Sequence, residues 1–195
     1  RRRVLGWMAA SAALATVGCS GGDDGAGDPA AVDDAPAPPA GASDETVSYG
    51  SGRHRRGRLL VPAHASADDP VPVVVLVPGG FWRSDADPSL VDDLAVDAVE
   101  RGWAVWRIEH RPADVGGGGW PGTFVDAAAA VDHVATLADD HPIDPARLVT
   151  VGHSSGAVLA LWAAARAGLP ADAPGADPEV RPRGAVSLSG VVNLA

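Results

Sequence analysis

The sequence predicts an α/β fold, a mainly parallel sheet flanked by helices, and three observations carry that expectation. Val71–Val77 is a nearly unbroken Val/Leu run, the pattern of a strand buried on both faces. Runs of this kind alternate with helix-period stretches of about 12 to 18 residues, the order that right-handed crossover connections require. Gly152-His153-Ser154-Ser155-Gly156 then joins one such run to the next helical stretch, with glycines on both sides of a tight strand-to-helix turn.

Length and composition fit one domain. The 195 residues are 46% hydrophobic and 21% charged, with a mean hydropathy of +0.06, as in a globular protein rather than a disordered or multi-spanning one. A net charge of −10 gives no basic footprint for nucleic acid, and no nucleic-acid partner is expected. The single cysteine excludes a disulfide within the chain.

Taken in order, Arg1, Arg2 and Arg3 precede a charge-free run over 4–18. This is the basic-then-apolar pattern of an export signal, too short for a membrane span. The run ends at Thr16-Val17-Gly18-Cys19 and resembles a bacterial lipoprotein signal over 1–18, although Thr16 stands where that signal prefers Leu, Val or Ile. The resemblance implies that Cys19 is acylated and becomes the first mature residue, anchoring an exported protein to the outer face of the cell membrane by lipid alone. An ordinary secretory signal is the alternative. The first residue is Arg rather than Met, so the gene is expected to start upstream. Residues 19–45 are rich in Gly, Asp, Ala and Pro and lack aromatics; they bury too little apolar surface to offset ordering entropy and read as a tether.

The domain is expected over 46–195. Residues 46–50 and 58–61 read as a hairpin. Val71–Val77 follows and stops at Pro78-Gly79-Gly80. Residues 88–101 place Leu90, Leu94 and Ala98 on one helical stripe beside Val91, with Gly102 as the stop. Residues 103–108 form the next strand. The four glycines at 116–119 lack the Lys-Ser/Thr or GxGxxG context of a phosphate cradle and read as a loop. A helix is expected over 121–138, with Phe124, Ala128, Val131 and Ala135 along one stripe. A strand over 148–151, a helix over 156–167 and the start of a strand at 186–188 complete the pattern. Asp92-Asp93 and Asp139-Asp140 read as solvated faces or helix ends.

Ser154 is the candidate nucleophile, because a serine on such a turn presents its hydroxyl at a helix N-terminus; the alternative is a tight turn with a capping serine. Attack on a carbonyl creates an oxyanion that needs donors already in place. The backbone N–H groups of Gly79, Gly80 and Phe81, after the central strand, and of Ser155, after the candidate nucleophile, are the candidates.

At this point the chain resembles the α/β-hydrolase superfamily, within it the esterase branch with an HGG-x-W loop, which includes kynurenine formamidase-like enzymes and bifunctional feruloyl and acetyl-xylan esterases. The resemblance runs from about Val71 to Leu194 through 74–83 (VVLVPGGFWR), 102–111 (GWAVWRIEHR), 120–134 (WPGTFVDAAAAVDHV), 149–165 (VTVGHSSGAVLALWAAA) and 185–194, in that order. It implies a serine hydrolase acting as a carboxylesterase on small-molecule esters through an acyl-enzyme, with Ser154 as nucleophile and Gly80, Phe81 and Ser155 in the oxyanion hole. Two departures stand out. Pro78 replaces the usual His, removing a side chain that would brace the loop. The family's acid and base follow the last two strands, so the triad Asp and His are expected beyond Ala195, with the C-terminal strands and helix of the fold missing from this chain.

None of the six histidines reads as a substitute base. His153 is adjacent to Ser154 and resembles a packing residue, His110 follows a strand, and His54, His64, His133 and His141 fall in loops or on helix surfaces. No metal is expected, since His133 and His141 lie eight positions apart, outside zinc-ligand spacing, and no cofactor is expected. Trp82, Trp106 and Trp120 suit either an aromatic-lined cleft or the core. The alternative function is a non-catalytic surface lipoprotein that keeps the scaffold for binding. A nucleotide-binding reading lacks its glycine fingerprint, and oligomeric state is not legible.

Overall fold

The computed structural model describes residues 36–191. The signal over 1–18, Cys19 and most of the tether lie outside the described residues, as do the expectations for sequence after residue 191.

Six strands form one sheet in the order β1-β2-β4-β3-β5-β6. β1 (Ser43–Ser48) and β2 (Arg56–Val61) make the antiparallel hairpin. β1 pairs with β2 from Ser43↔Val61 onward, and Ala42 packs against the smaller of two apolar clusters. The end of the expected tether, residues 42–45, is therefore part of the fold: the β2 edge offers backbone partners that local composition does not reveal. β2 also pairs antiparallel with β4 (Ala104–Ile108). β3 (Val71–Val77), β4, β5 (Ile143–His153) and β6 (Ala185–Leu188) run parallel.

Side-chain alternation along β3 divides the core. Val71, Val73, Val75 and Val77 face α2 (Gly122–Asp132), α3 (Val134–Asp140) and α4 (Gly156–Ala165). Leu76 faces α1 (Asp92–Glu100) with Leu60 and Val105. Both faces are covered, which is why the strand reads as one apolar run.

The structure differs from the sequence reading at four elements. The helix expected over 88–101 begins as a 3₁₀ turn, Pro88–Val91. Its buried stripe is Val91, Ala95 and Val99 rather than Leu90, Leu94 and Ala98, and Leu90 is 65% exposed. The cause is Asp92, which is no solvated helix end: it is buried, with Oδ2 2.8 Å from Arg58 Nη1 and Oδ1 2.8 Å from Arg107 Nε. These two ion pairs tie the start of the helix to β2 and β4.

The helix expected over 121–138 breaks at His133 into α2 and α3, where the buried Trp106 indole donates to the Ala130 carbonyl at 2.9 Å and takes an acceptor from the helical ladder. β5 begins five residues before the expected strand, because pairing continues past an irregularity between Pro72 and Val73 to Ile143; Asp144 and Pro145 hide that pairing from a pattern-based reading. α4 ends at Ala165 and closes with a 3₁₀ turn, Arg166–Gly168. Among the described residues no helix is long and apolar enough to cross a membrane.

The chain leaves β3 to β4 on one side and later returns to β5 on the other. The carboxyl ends of these three strands flank a topological switch point, the place where open α/β sheets bind ligands.

Candidate active site

β5 ends at His153 and α4 starts at Gly156; Ser154 makes the reversal at φ 51°, a left-handed conformation unusual for a residue with a Cβ. Its surroundings hold it there. The Ser154 N–H donates to Leu188 O at 2.9 Å, and Ser154 O accepts from Ala157 N–H at 3.1 Å and Val191 N–H at 3.3 Å. A strained residue fixed from several directions is what a nucleophile-bearing turn requires. Gly156 has no alternative: a Cβ there would lie 2.4 Å from both the Val77 and Pro78 carbonyl oxygens.

The loop after β3 packs on this turn. A Cβ on Gly79 would lie 2.9 Å from Ser154 Cβ, so only glycine lets the loop backbone approach so closely. Gly80, Phe81 and Trp82 all have positive φ (123°, 53° and 55°). Arg83 N–H donates to Gly80 O at 3.0 Å, and Ala113 N–H to Trp82 O at 2.6 Å. The brace that Pro78 does not supply comes from elsewhere. The Phe81 N–H donates to Ser155 Oγ at 2.9 Å, and Ser155 is buried.

Of the expected oxyanion donors, Phe81 therefore has its N–H engaged, whereas those of Gly79, Gly80 and Ser155 meet no acceptor among the described residues. The sequence motif points only to the Ser155 N–H; the role of its hydroxyl arises from the loop after β3 folding back onto it.

A cleft of about 350 Å³ opens beside the turn, with Gly79 and Ser155 at one end, Trp82 on a wall and His110 and Glu109 contributed by the segment after β4. Ser154 itself adjoins the cleft through Gly79. Of the three tryptophans considered for such a wall, Trp82 is placed there; Trp106 is in the core, and Trp120 is 62% exposed, stacked edge-on against Phe124 at 5.0 Å.

Burial pushes the His110 imidazole below the ordinary histidine pKa, favouring its neutral form. No side chain among the described residues hydrogen-bonds the Ser154 hydroxyl. His153 packs under Gly79, with its Nδ1 3.1 Å from where a Gly79 Cβ would stand. No group of three or more His, Cys, Asp or Glu among the described residues is arranged to hold a metal ion.

The cleft's frame hangs on Asp126, a residue sequence patterning passed over. It is fully buried and accepts from Arg55 Nε at 2.8 Å, Arg111 Nε at 2.7 Å, Arg111 Nη2 at 2.9 Å and the Arg111 backbone N–H at 3.0 Å. Burial raises its pKa, but the hydrogen bonds from Arg111 and the charges of Arg55 and Arg111 outweigh this and hold it below the ordinary carboxylate value. The signal was present: an Asp on the same face of α2 as the buried Ala127 and Ala130 needs a partner.

The sequence model of the BD-FAE family matches residues 59–193. Esterase LipQ of Mycobacterium tuberculosis is 34% identical over 104 residues, covering 53% of this chain and 24% of LipQ. A bacterial heroin esterase structure shares 27% identity with a TM-score of 0.57, over 66% of this chain and 40% of its own. Esterase 2 of Thermogutta terrifontis, phosphoramylated by tabun, reaches 0.64 at 22% identity, over 82% of this chain and 60% of its own. Esterase B from Lactobacillus rhamnosis reaches 0.68 at 19% identity, over 80% of this chain and 52% of its own. The chain thus spans about a quarter of LipQ and about half the length of these solved esterases.

Proposed function

The chain belongs to the BD-FAE family and has the α/β-hydrolase fold of solved esterases, and on that premise we propose that it supplies the nucleophile and oxyanion-binding part of a serine carboxylesterase. The observation that carries the reading is Ser154 at φ 51°, at the carboxyl end of β5 and against the glycine loop after β3. Ser154 Oγ attacks the ester carbonyl and its proton passes to a general base. The C–O bond to the alcohol breaks, and that proton leaves with the alcohol. Water, deprotonated by the same base, then cleaves the acyl-enzyme and restores the serine. The negative oxygen is met by the N–H groups of Gly80 and Ser155, with Gly79 close by. Phe81 joins them only if it releases Ser155 Oγ.

The general base and its acid are assigned to sequence beyond Ala195, because in α/β-hydrolases they follow the nucleophile on the loops after the last two strands. The substrate is a small-molecule ester. Acylation at Cys19, with residues 1–18 as the signal, places the enzyme at the outer face of the cell membrane; radiolabelled palmitate incorporation that survives Cys19→Ala, or secretion of unlabelled protein, overturns that placement.

The deciding experiment treats the full-length protein, with the sequence that carries its general base, and its Ser154→Ala variant with a fluorophosphonate probe and with 4-nitrophenyl acetate. Labelling and turnover lost in the variant support the reading. Neither signal in the full-length protein overturns it and leaves the non-catalytic binding scaffold, for which Pro78 in place of the family's usual His speaks.

A further inference from the structure

Residues 53–56 read Arg-His-Arg-Arg; the connection between β1 and β2 carries Arg53, and β2 opens with Arg56, so that both line the cleft beside Ser154. Arg83 joins them from the loop after β3, and Glu109 is the one carboxylate among the described residues lining this cleft. An adjoining hollow of about 260 Å³ shares Arg53 and His54 and adds Arg55 and Arg111. A chain of net charge −10 thus lines the cleft beside the candidate nucleophile with three arginines.

Most of these charges are already paired. Arg56 Nε lies 3.1 Å from Glu109 Oε1, Arg83 Nε 2.9 Å from Asp85 Oδ1, and Arg55 and Arg111 hold Asp126. Arg53 differs. It is exposed at the mouth of both hollows, and no carboxylate among the described residues is within ion-pair distance. Its Nε donates to His54 Nε2 at 2.9 Å, which orients the guanidinium and leaves its terminal N–H groups free. An oriented guanidinium without a counterion, at the edge of a cleft, is a fork-shaped receptor for a carboxylate or phosphate.

Resting on the hydrolase reading above, we propose that this site selects esters carrying a second, anionic group, a carboxylate or phosphate, which Arg53 binds while the ester carbonyl lies at Ser154. Arg56 and Arg83, fixed by their own partners, add positive potential along the path but not the primary contact. The preference acts through binding and falls with salt, since the contact is solvent-accessible.

The test compares kcat/KM of the full-length protein, with the sequence that carries its general base, for 4-nitrophenyl hydrogen succinate and the neutral 4-nitrophenyl butyrate, and for 4-acetoxyphenyl phosphate and phenyl acetate. The expected result is a preference for at least one anionic ester. Arg53→Ala lowers that anionic-to-neutral ratio roughly fivefold, the size of one partly screened charge contact, and Arg53→Glu lowers it further. The change lies mainly in KM and shrinks as ionic strength rises. The succinate and phosphate arms tell which anion is recognised. A chain that hydrolyses the neutral esters with ratios that Arg53→Ala leaves unaltered overturns the selectivity and leaves the hydrolase reading standing. A full-length protein that turns over none of the four, with Ser154→Ala indistinguishable from it, overturns both.

Discussion

Replacing Asp126 by Ala removes the hinge between α2, the β1–β2 connection and the segment after β4. The carboxylate is 0% exposed while its two arginines are each 28% exposed. Breaking a buried ion pair from one side costs about 3–5 kcal/mol, because the remaining charge is stranded. Here both guanidinium groups regain some water, which places the ion-pair loss near the lower bound of about 3 kcal/mol. The Arg111 backbone N–H also loses its acceptor, adding about 1 kcal/mol. A total of about 4 kcal/mol, with an m-value of about 2 kcal/mol/M, lowers the urea midpoint by roughly 2 M.

Equilibrium urea unfolding of the full chain and of Asp126→Ala, followed by tryptophan fluorescence, measures this directly. The Asn variant keeps an acceptor oxygen and should fall between the two. Acid stability supplies an independent check. A carboxyl held below its ordinary pKa contributes stability that is present above about pH 3.9 and is lost as pH falls through its folded-state value; that loss should be present in the parent chain and absent in Asp126→Asn. A midpoint shift below about 0.5 M, or unchanged acid unfolding in the Asn variant, would falsify the assignment of Asp126 as the brace of the cleft.

Three further outcomes follow from the same geometry. Gly79→Ala puts a Cβ 2.9 Å from Ser154 Cβ and should lower kcat by about a hundredfold through misplacement of the reacting groups; circular dichroism checks that the fold is retained, and normal turnover would refute the close approach. Ser155→Ala deprives Phe81 N–H of its 2.9 Å acceptor and should cost about 1 kcal/mol with a several-fold drop in kcat; thermal melts and ester kinetics read both, and no change in either counts against the brace. His110, whose imidazole is pushed down by burial, contributes stability that is complete above about pH 6.5 and is lost as pH falls toward its folded-state value. His110→Gln should therefore flatten the dependence of the urea midpoint on pH between about 6.5 and 5, and an identical slope in both proteins argues against a half-buried, neutral His110.

Much of this architecture was legible because it rests on local pattern. The Val/Leu run of β3 is read in its true bounds, since a strand covered on both faces has no alternation to misjudge. The turn at Ser154 is visible because its flanking glycines stand against packed backbone, where no other residue fits. What stayed hidden depends on partners distant in sequence. Asp92 looks like a solvated helix end until Arg58 and Arg107 are placed against it, and only then does the buried stripe of α1 become Val91, Ala95 and Val99. His133 looks helical until the Trp106 indole claims the Ala130 carbonyl. Asp126 and Ser155 carry no motif for their roles, since each acts on a backbone or guanidinium group brought in by another element.

By itself the sequence determined the strand-helix alternation, the nucleophile-type turn and the glycine loop, because these follow from apolar periodicity and from conformations that few residue types can adopt. Tertiary structure alone decided which loop N–H groups are free, which charges are buried in pairs and which arginine at the cleft mouth has no counterion. Those are properties of contacts across the sheet, and the energy of a buried charge is set by what surrounds it rather than by its neighbours in the chain.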